Sequence, residues 1–102
     1  MDVFEKLQNW YSSQCNGEWE HEYGVSIENL DNPGWMVSID LAETDLEHLP
    51  FEEVMDERTE TNWIDCKRIE SKFRGLGGSH NLVEIVSIFI IWSESLLALR
   101  RK

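Results

Sequence analysis

Three carboxylates and an imidazole lie close together at Glu18, Glu20, His21 and Glu22. A carboxylate beside a histidine can transfer protons as a general acid or base, so this segment is a candidate for catalysis. The three acids also alternate along the chain, and on a β-strand they would share one solvated face. That second arrangement is the more common one. We therefore predict a charged surface here, no catalytic residue, and a protein that is not an enzyme.

Two further patterns could bind a ligand. Cys15 and His21 are six positions apart, but zinc sites usually have paired ligands at short spacing, and no second pair is present. The stretch from Gly75 to Ser79 precedes a predicted helix, as phosphate-binding loops do, yet it lacks the lysine of a nucleotide-binding loop. We predict no metal, no cofactor, and a simple strand-to-helix turn at these glycines.

The charge of the chain is strongly negative and unevenly distributed. Twenty Asp and Glu residues face nine Lys and Arg, for a net charge of −11. Residues 1–66 carry 17 of the acids and two of the bases, whereas residues 67–102 carry three acids and seven bases. Such a surface repels the phosphates of nucleic acids and attracts basic proteins. Composition alone leaves open whether the acids form a docking surface or only keep the protein soluble.

The compartment follows from what the sequence contains. Two cysteines are too few for a disulfide-rich secreted domain, although a single bridge between Cys15 and Cys66 remains possible. The N-terminus has neither the basic start nor the apolar stretch of a signal peptide. The longest unbroken apolar tract, residues 88–92, is far shorter than the ~20 residues that span a bilayer. We expect a soluble cytoplasmic protein that has no membrane partner.

Two segments have the pattern of amphipathic helices. Residues 2–14 begin with Asp2 as a potential N-cap, and their apolar residues recur at helical spacing. Residues 82–98 follow Asn81, another potential N-cap, and they are apolar on almost every side. The second helix should therefore be packed on more than one side, or it should present an apolar patch to a partner.

Between the helices, the sequence predicts mainly strands. Residues 22–30 and 35–41 alternate in polarity around the turn Asp31–Gly34, which predicts a hairpin with Gly34 at positive φ. Residues 42–52 predict an irregular connection, residues 53–58 and 62–70 two weaker strands, and the region through Phe73 a short fifth one. The glycines at 75–78 should then break the chain.

These elements predict one α+β domain over residues 1–102, with an antiparallel sheet of four to five strands covered on one face by an N-terminal and a C-terminal helix in two layers. The chain is long enough to bury one core without disulfides. The predicted core residues are Leu7, Trp10, Tyr11, Val25, Ile27, Val37, Ile39, Ile85, Phe89 and Trp92.

The aromatic residues, glycines and acids of the first third also follow a recognisable pattern. Its strongest parts are Trp10-Tyr11, Gln14-Cys15, Gly17, Trp19-Glu20-His21, Tyr23-Gly24 and Asp31-Asn32-Pro33-Gly34-Trp35. Supporting pieces are Pro50-Phe51-Glu52, Trp63, Gly77-Gly78 and Asn81-Leu82. In this pattern, from about Phe4 to Trp92, the chain resembles immunity protein family 53 of bacterial polymorphic-toxin systems. The tail after Trp92 lies outside the pattern.

The resemblance implies a stoichiometric inhibitor that binds and neutralises a cognate toxin domain, encoded beside it, by covering the toxin's active or substrate-binding surface. We expect that toxin domain to be basic. The alternatives are an acidic interaction or assembly module that uses the apolar second helix, and a small enzyme built on Glu20 and His21. The resemblance supplies no mapped contact residues, so the acidic segments provide the candidates. The candidate toxin-binding residues are Glu18, Glu20, Glu22, Glu43, Asp45 and Glu47.

Overall fold

The computed structural model describes residues 1–100, which have the predicted α+β fold. A five-stranded antiparallel sheet carries an N-terminal and a C-terminal helix, as the sequence predicts. The helices are α1 (Val3–Gln14), α2 (Trp19–Glu22) and α3 (Leu82–Arg100). The strands are β1 (Val25–Leu30), β2 (Gly34–Asp40), β3 (Val54–Glu57), β4 (Trp63–Ile69) and β5 (Lys72–Gly78).

Helix α1 begins as its sequence predicts. The Asp2 carboxylate accepts a hydrogen bond of 2.9 Å from the Glu5 amide, which satisfies one of the free amides of the first turn. Leu7 is buried from the inward side of the helix. The chain then turns through Gly17, whose φ of +94° is a left-handed conformation that glycine adopts without strain.

The strands are not arranged in their order along the chain. The spatial order is β1-β2-β5-β4-β3, so β5 is the central strand and every neighbouring pair is antiparallel. The prediction that the glycines at 75–78 break the chain is therefore wrong, because all of them lie in β5. The irregular connection between β2 and β3 carries the chain across to the far edge of the sheet.

The glycines of β5 allow α3 to lie unusually close to the sheet. A β-carbon on Gly75 would lie 2.3 Å from Cγ2 of Ile85, and one on Gly77 would lie 2.8 Å from Cδ1 of the same residue. Ile85 thus occupies the space that two strand side chains would otherwise fill. Glycine usually weakens a strand interior, and here the loss is compensated by close packing of the helix against the backbone.

The predicted hairpin of β1 and β2 is confirmed, with one correction. Leu30 pairs with Gly34, and Ile27 pairs with Val37. Gly34 is the first residue of β2 and does not have positive φ. Glycine is required there for a different reason. A β-carbon at this position would lie only 2.4 Å from the backbone oxygen of Gly77 and would clash with it.

The core lies between the sheet and the helices, and most of the predicted residues line it. Val37, Ile39, Ile85 and Phe89 are fully buried. Val25, Trp10 and Trp92 are partly buried against the same cluster. Tyr11 and Ile27 are exposed, which contradicts their predicted burial. Ile27 lies on β1, an edge strand, and α3 packs against β2, β4 and β5 instead.

The long connection after β2 is irregular, as predicted, but firmly attached. The Arg68 guanidinium donates hydrogen bonds to the backbone oxygens of Leu46, Glu47 and Leu49. The Trp92 indole donates to the Pro50 oxygen at 2.9 Å. This connection therefore packs against the body of the domain, and Leu46 contributes a fully buried side chain to the core.

The start of α3 is joined to the β3–β4 hairpin by polar contacts around Asn81, which is buried. Asn81, predicted to cap α3, directs its side-chain oxygen to the Trp63 amide instead, at 3.3 Å. Its side-chain nitrogen donates to Asn62 and Glu84. Arg58 binds both carboxylate oxygens of Glu84, and this contact lowers the pKa of Glu84 below its usual value.

Helix α3 also meets a simple criterion for membrane spans. In residues 1–100 its segment Leu82–Leu99 is long and apolar enough to cross a bilayer, with a mean hydropathy of 2.0. The prediction from the longest unbroken tract overlooked this, because Ser87, Ser93 and Glu94 interrupt the run without lowering its mean hydropathy far. A core helix meets the same criterion, so the finding is weak support for a membrane span.

Candidate protein-binding surfaces

The segment Trp19–Glu22 is a single helical turn with Glu18 as its N-cap, not the extended strand on which Glu18, Glu20 and Glu22 would share one face. The Asn16 side-chain oxygen accepts hydrogen bonds from the amides of Glu18 and Trp19, both at 2.9 Å, and so initiates the turn. The carboxylate of Glu20 folds back onto the amides of Asn16 and Gly17. These local hydrogen bonds stabilise a helical turn, although the alternation of acids in the sequence is typical of a strand.

Trp19 holds this turn against the domain. It is buried, and its indole nitrogen donates to the Ala42 oxygen at 2.9 Å. Its ring packs edge-on against Trp10 and Tyr11. Trp19 is therefore a structural residue that fixes α2 next to the turn following β2.

Three of the six candidate acids meet in one cleft, which we call the acidic cleft. It has a volume of about 140 Å³ and is lined by Glu18, Glu22 and Glu43 together with Asn16, Trp19 and Tyr23. Glu43 reaches it from the turn after β2, where its backbone has a φ of 60°. Burial raises the pKa of Tyr23, and the negative charges of Glu43 and Glu22 raise it further.

The other three candidates lie elsewhere. The Glu20 carboxylate accepts hydrogen bonds from backbone amides. The amide of Glu20 itself contributes most to lowering the pKa of this carboxylate, and those of Asn16 and Gly17 lower it further. Asp45 accepts a hydrogen bond from Gln14 at 3.3 Å and lines a separate groove between α1 and α3. Glu47 lies 3.8 Å from His48. The structure thus brings together half of the predicted site.

The geometry of the described residues does not favour catalysis at Glu20 and His21, metal binding or a reactive cysteine at position 66. His21 is exposed, and the neighbouring Glu20 carboxylate is already engaged by backbone amides. Within residues 1–100, no group of three or more His, Cys, Asp and Glu side chains could hold a metal ion. Cys15 and Cys66 are free thiols, and burial raises the pKa of Cys66 to about 12, which keeps that thiol protonated and unreactive.

A second surface, which the sequence analysis missed, lies on the other side of the sheet. Side chains alternate across a strand, so those next to the core-facing residues of β2–β5 point away from α1 and α3. We call this the open face. It consists of Met36, Met55, Trp63, Asp65, Lys67, Arg74 and Leu76. The signal was available in the alternation of β4 and β5, but without the true strand order it could not be assembled.

The open face mixes apolar and charged groups. Asp65 lies between Leu76 on one neighbouring strand and Met55 on the other. Arg74 lies opposite Lys67, so two cations occupy the middle of the sheet. This surface is therefore less acidic than the rest of the protein, and it is built on four strands, β2–β5.

Comparison with known protein families assigns the chain. A family model described as Immunity protein 53 matches residues 4–94, most of the described domain. The chain therefore belongs to the immunity protein 53 family, which implies toxin neutralisation in general terms. The matched range includes α1, the sheet, the acidic cleft and most of α3.

Searches among curated proteins and among solved structures found no match to the chain.

Proposed function

We propose that this protein binds a basic toxin domain tightly and neutralises it without chemistry, by covering the surface that the toxin needs for its substrate. Family membership supports the general role. The observation that carries the proposal further is the acidic cleft, where the side chains of Glu18, Glu22 and Glu43 converge from two segments of the chain. A toxin that acts on a polyanion needs a basic groove, and clustered carboxylates complement such a groove.

The mechanism has two stages. The excess of acids in residues 1–66 attracts a basic toxin over distances of about one Debye length, roughly 8–10 Å at physiological salt. Short-range contacts then hold the complex. Glu43, Asp45 and Glu47 lie in the connection after β2, and Glu43 also lines the acidic cleft. We propose that these three acids form the surface that steers the toxin. Neither stage requires a cofactor, nucleic acid or membrane, and we place the protein in the cytoplasm.

The test measures association kinetics with the purified toxin domain encoded beside this chain. Reversing the charges of Glu43, Asp45 and Glu47 should lower the association rate constant and weaken its dependence on salt, while the dissociation rate changes little. A matched variant reverses three exposed acids elsewhere, Glu5, Asp31 and Glu52, and changes the net charge equally. If both variants associate alike, the steering effect belongs to net charge and not to this surface.

A second candidate function is an assembly module that uses α3. It is favoured by the apolar side chains that this helix exposes, which are Val83, Ile91, Leu97 and Leu99. Isolated apolar side chains are common on protein surfaces. The exposed residues of α3 are therefore weaker support for an assembly module than the family assignment is for toxin neutralisation. Sedimentation of the purified chain distinguishes the two functions. An Ile91→Ser and Leu97→Ser double variant should abolish any self-association that depends on α3 and leave toxin binding intact.

A further inference from the structure

Arg74 is the one lysine or arginine between residues 6 and 74 whose side chain lacks a partner in the described structure. Lys6, Arg58, Lys67 and Lys72 form ion pairs with carboxylates, and Arg68 donates to backbone oxygens. Arg74 forms no ion pair or hydrogen bond within residues 1–100, and its Nε is buried without an acceptor. In a chain that contains 20 carboxylates, an arginine without a partner is unexpected.

Asp65, which also lies on the open face, shows the complementary deficit. Its Oδ1 is buried and accepts no hydrogen bond, and the nearest cation, Lys67 Nζ, is 3.9 Å away. Asp65 and Arg74 lie on adjacent strands and on the same face, but they do not pair with each other. Buried polar atoms without partners cost free energy. Both side chains are only partly buried, so their remaining polar atoms can still pair with a bound protein.

Several large apolar side chains lie near these two residues on the open face. Leu76 and Met36 lie beside each other on β5 and β2, and Met55 lies beyond Asp65. Trp63 is half-buried at the end of the same face, against an open cleft of about 440 Å³ formed with Glu57–Glu60. Tryptophan and arginine are enriched among the residues that dominate binding energy, particularly where apolar neighbours exclude water.

We infer that the open face is the surface that anchors the toxin domain, and that the toxin places one carboxylate on the guanidinium of Arg74 beside the apolar side chains of Leu76 and Met36. This inference rests on the proposed function and adds the anchoring surface to it. A carboxylate matches the planar guanidinium and can accept two parallel hydrogen bonds from it. A nucleic acid does not fit, because Asp65 shares this face with Arg74 and Glu53 pairs with the neighbouring Lys67, and these carboxylates would repel a chain of phosphates.

The two surfaces then have separate roles. The acids near α2 and after β2 act at long range and set the association rate. Arg74 and its apolar neighbours act only on contact, so they set the dissociation rate. A toxin domain that is basic overall and carries an isolated acidic side chain among apolar residues satisfies both surfaces.

The first test uses the unmodified protein, whose three methionines serve as reporters. Met36 and Met55 lie on the open face, whereas Met1 lies in the groove between α1 and α3. The chain is oxidised with dilute peroxide, alone and bound to the toxin domain encoded beside it, and methionine sulfoxide is measured at each position. We expect toxin binding to slow the oxidation of Met55 at least fivefold and to leave Met1 unchanged. Protection of Met1 but not Met55 would overturn the inference in favour of the α1–α3 groove.

The second test compares matched variants in binding to the same toxin domain. Arg74→Gln should raise Kd at least tenfold, mainly through faster dissociation, whereas Lys6→Gln removes a charge on α1 and should leave Kd within twofold. Met55→Ser should raise Kd severalfold, and Val83→Ser should not, although Met55 and Val83 are equally exposed at 57% and 56%. The melting temperature of each variant shows whether it is folded, and the methionine measurement needs no variant.

The outcomes separate the inference from the proposed function. If the parent chain does not bind the toxin domain, the proposed function fails. If the parent binds but the open-face variants bind equally well, the inference fails alone. A second copy of this chain could also pair Arg74 with Asp65 across a two-fold axis. Protection of Met55 that rises with the concentration of the isolated chain would show that occupant and would overturn the inference.

Discussion

Ile85 fills the position of two missing side chains on the central strand, because its Cγ2 atom would lie 2.3 Å from a β-carbon placed on Gly75. Cγ2 is bonded directly to the β-carbon of Ile85, so it cannot move away unless the side chain changes rotamer or α3 shifts. The distance between α3 and the sheet is therefore fixed at this contact.

Gly75→Ala should destabilise the protein by about 1–3 kcal/mol, the usual cost of overpacking a core. Gly24→Ala is the matched control, since a β-carbon there would have no neighbour within 4 Å and the residue does not have positive φ. The control should be neutral or slightly stabilising. Chemical denaturation measures both. Equal stability of the two variants would mean that α3 can move away from β5 without cost.

The coupling of these two residues is a second prediction. Ile85→Ala alone leaves a cavity, and in the Gly75→Ala background the new methyl group partly fills that cavity. The double variant should therefore lose less free energy of unfolding than the sum of the two single losses. Strict additivity in the double-mutant cycle would show that Gly75 and Ile85 do not compete for the same space.

Phe89→Ala should cost about 3–5 kcal/mol of unfolding free energy, as aromatic deletions in cores do. Phe89 is fully buried, and its ring centroid lies 5.0 Å from that of Trp10 and 5.3 Å from that of Phe73. Ile91→Ala, on the exposed side of the same helix, should change stability by less than about 0.5 kcal/mol. A Phe89→Ala protein that melts like its parent would contradict this account of the core.

The contact of Arg58 with Glu84 makes part of the stability depend on pH. Arg58 lowers the pKa of Glu84 in the folded state, so the unfolded chain binds the proton more readily. The stabilisation is complete above the unfolded-state pKa of about 4.3 and is lost as pH falls through the lower folded-state value. Glu84→Gln should be less stable than the parent at pH 7, and the difference should shrink below pH ~4. A difference that persists unchanged at low pH would assign it to packing.

Glu20 and Glu22 should behave differently, although they are two residues apart. Glu20 binds the amides of Asn16 and Gly17, so Glu20→Gln should lower the melting temperature and leave toxin association unchanged. Glu22 lines the acidic cleft, so Glu22→Gln should slow association and leave the melting temperature unchanged. Thermal melts and binding kinetics on the same samples test this pair, and the reverse pattern would contradict the assignment.

The sequence predicted those parts of the fold that depend on local patterns. The Asp2 cap, the hairpin turn and the apolar face of α3 each act within a few residues, so α1, the β1–β2 hairpin and α3 were identified correctly. The central strand was predicted only as a short piece through Phe73, because the glycines that follow resemble a loop and only the close approach of Ile85 explains them. The position of β5 between β2 and β4 depends on contacts distant in sequence, which no local pattern contains.

The same distinction explains the candidate site. The segment from Glu18 to Glu22 alternates like a strand, but the side chain of Asn16 and the buried ring of Trp19 make it a helical turn. Glu43 joins the acidic cleft only because the turn after β2 passes beside α2, and this proximity is tertiary. Arg74 could not be recognised as unpaired until the positions of all its neighbours were known.

The most direct measurement of the central claim is the survival of cells that express the toxin domain encoded beside this gene, with and without this protein. The account predicts full protection by the parent chain, protection that is lost with Arg74→Gln combined with charge reversal at Glu43, Asp45 and Glu47, and intact protection by the Lys6→Gln control. Cells that die equally fast in the presence of the folded parent chain would contradict it.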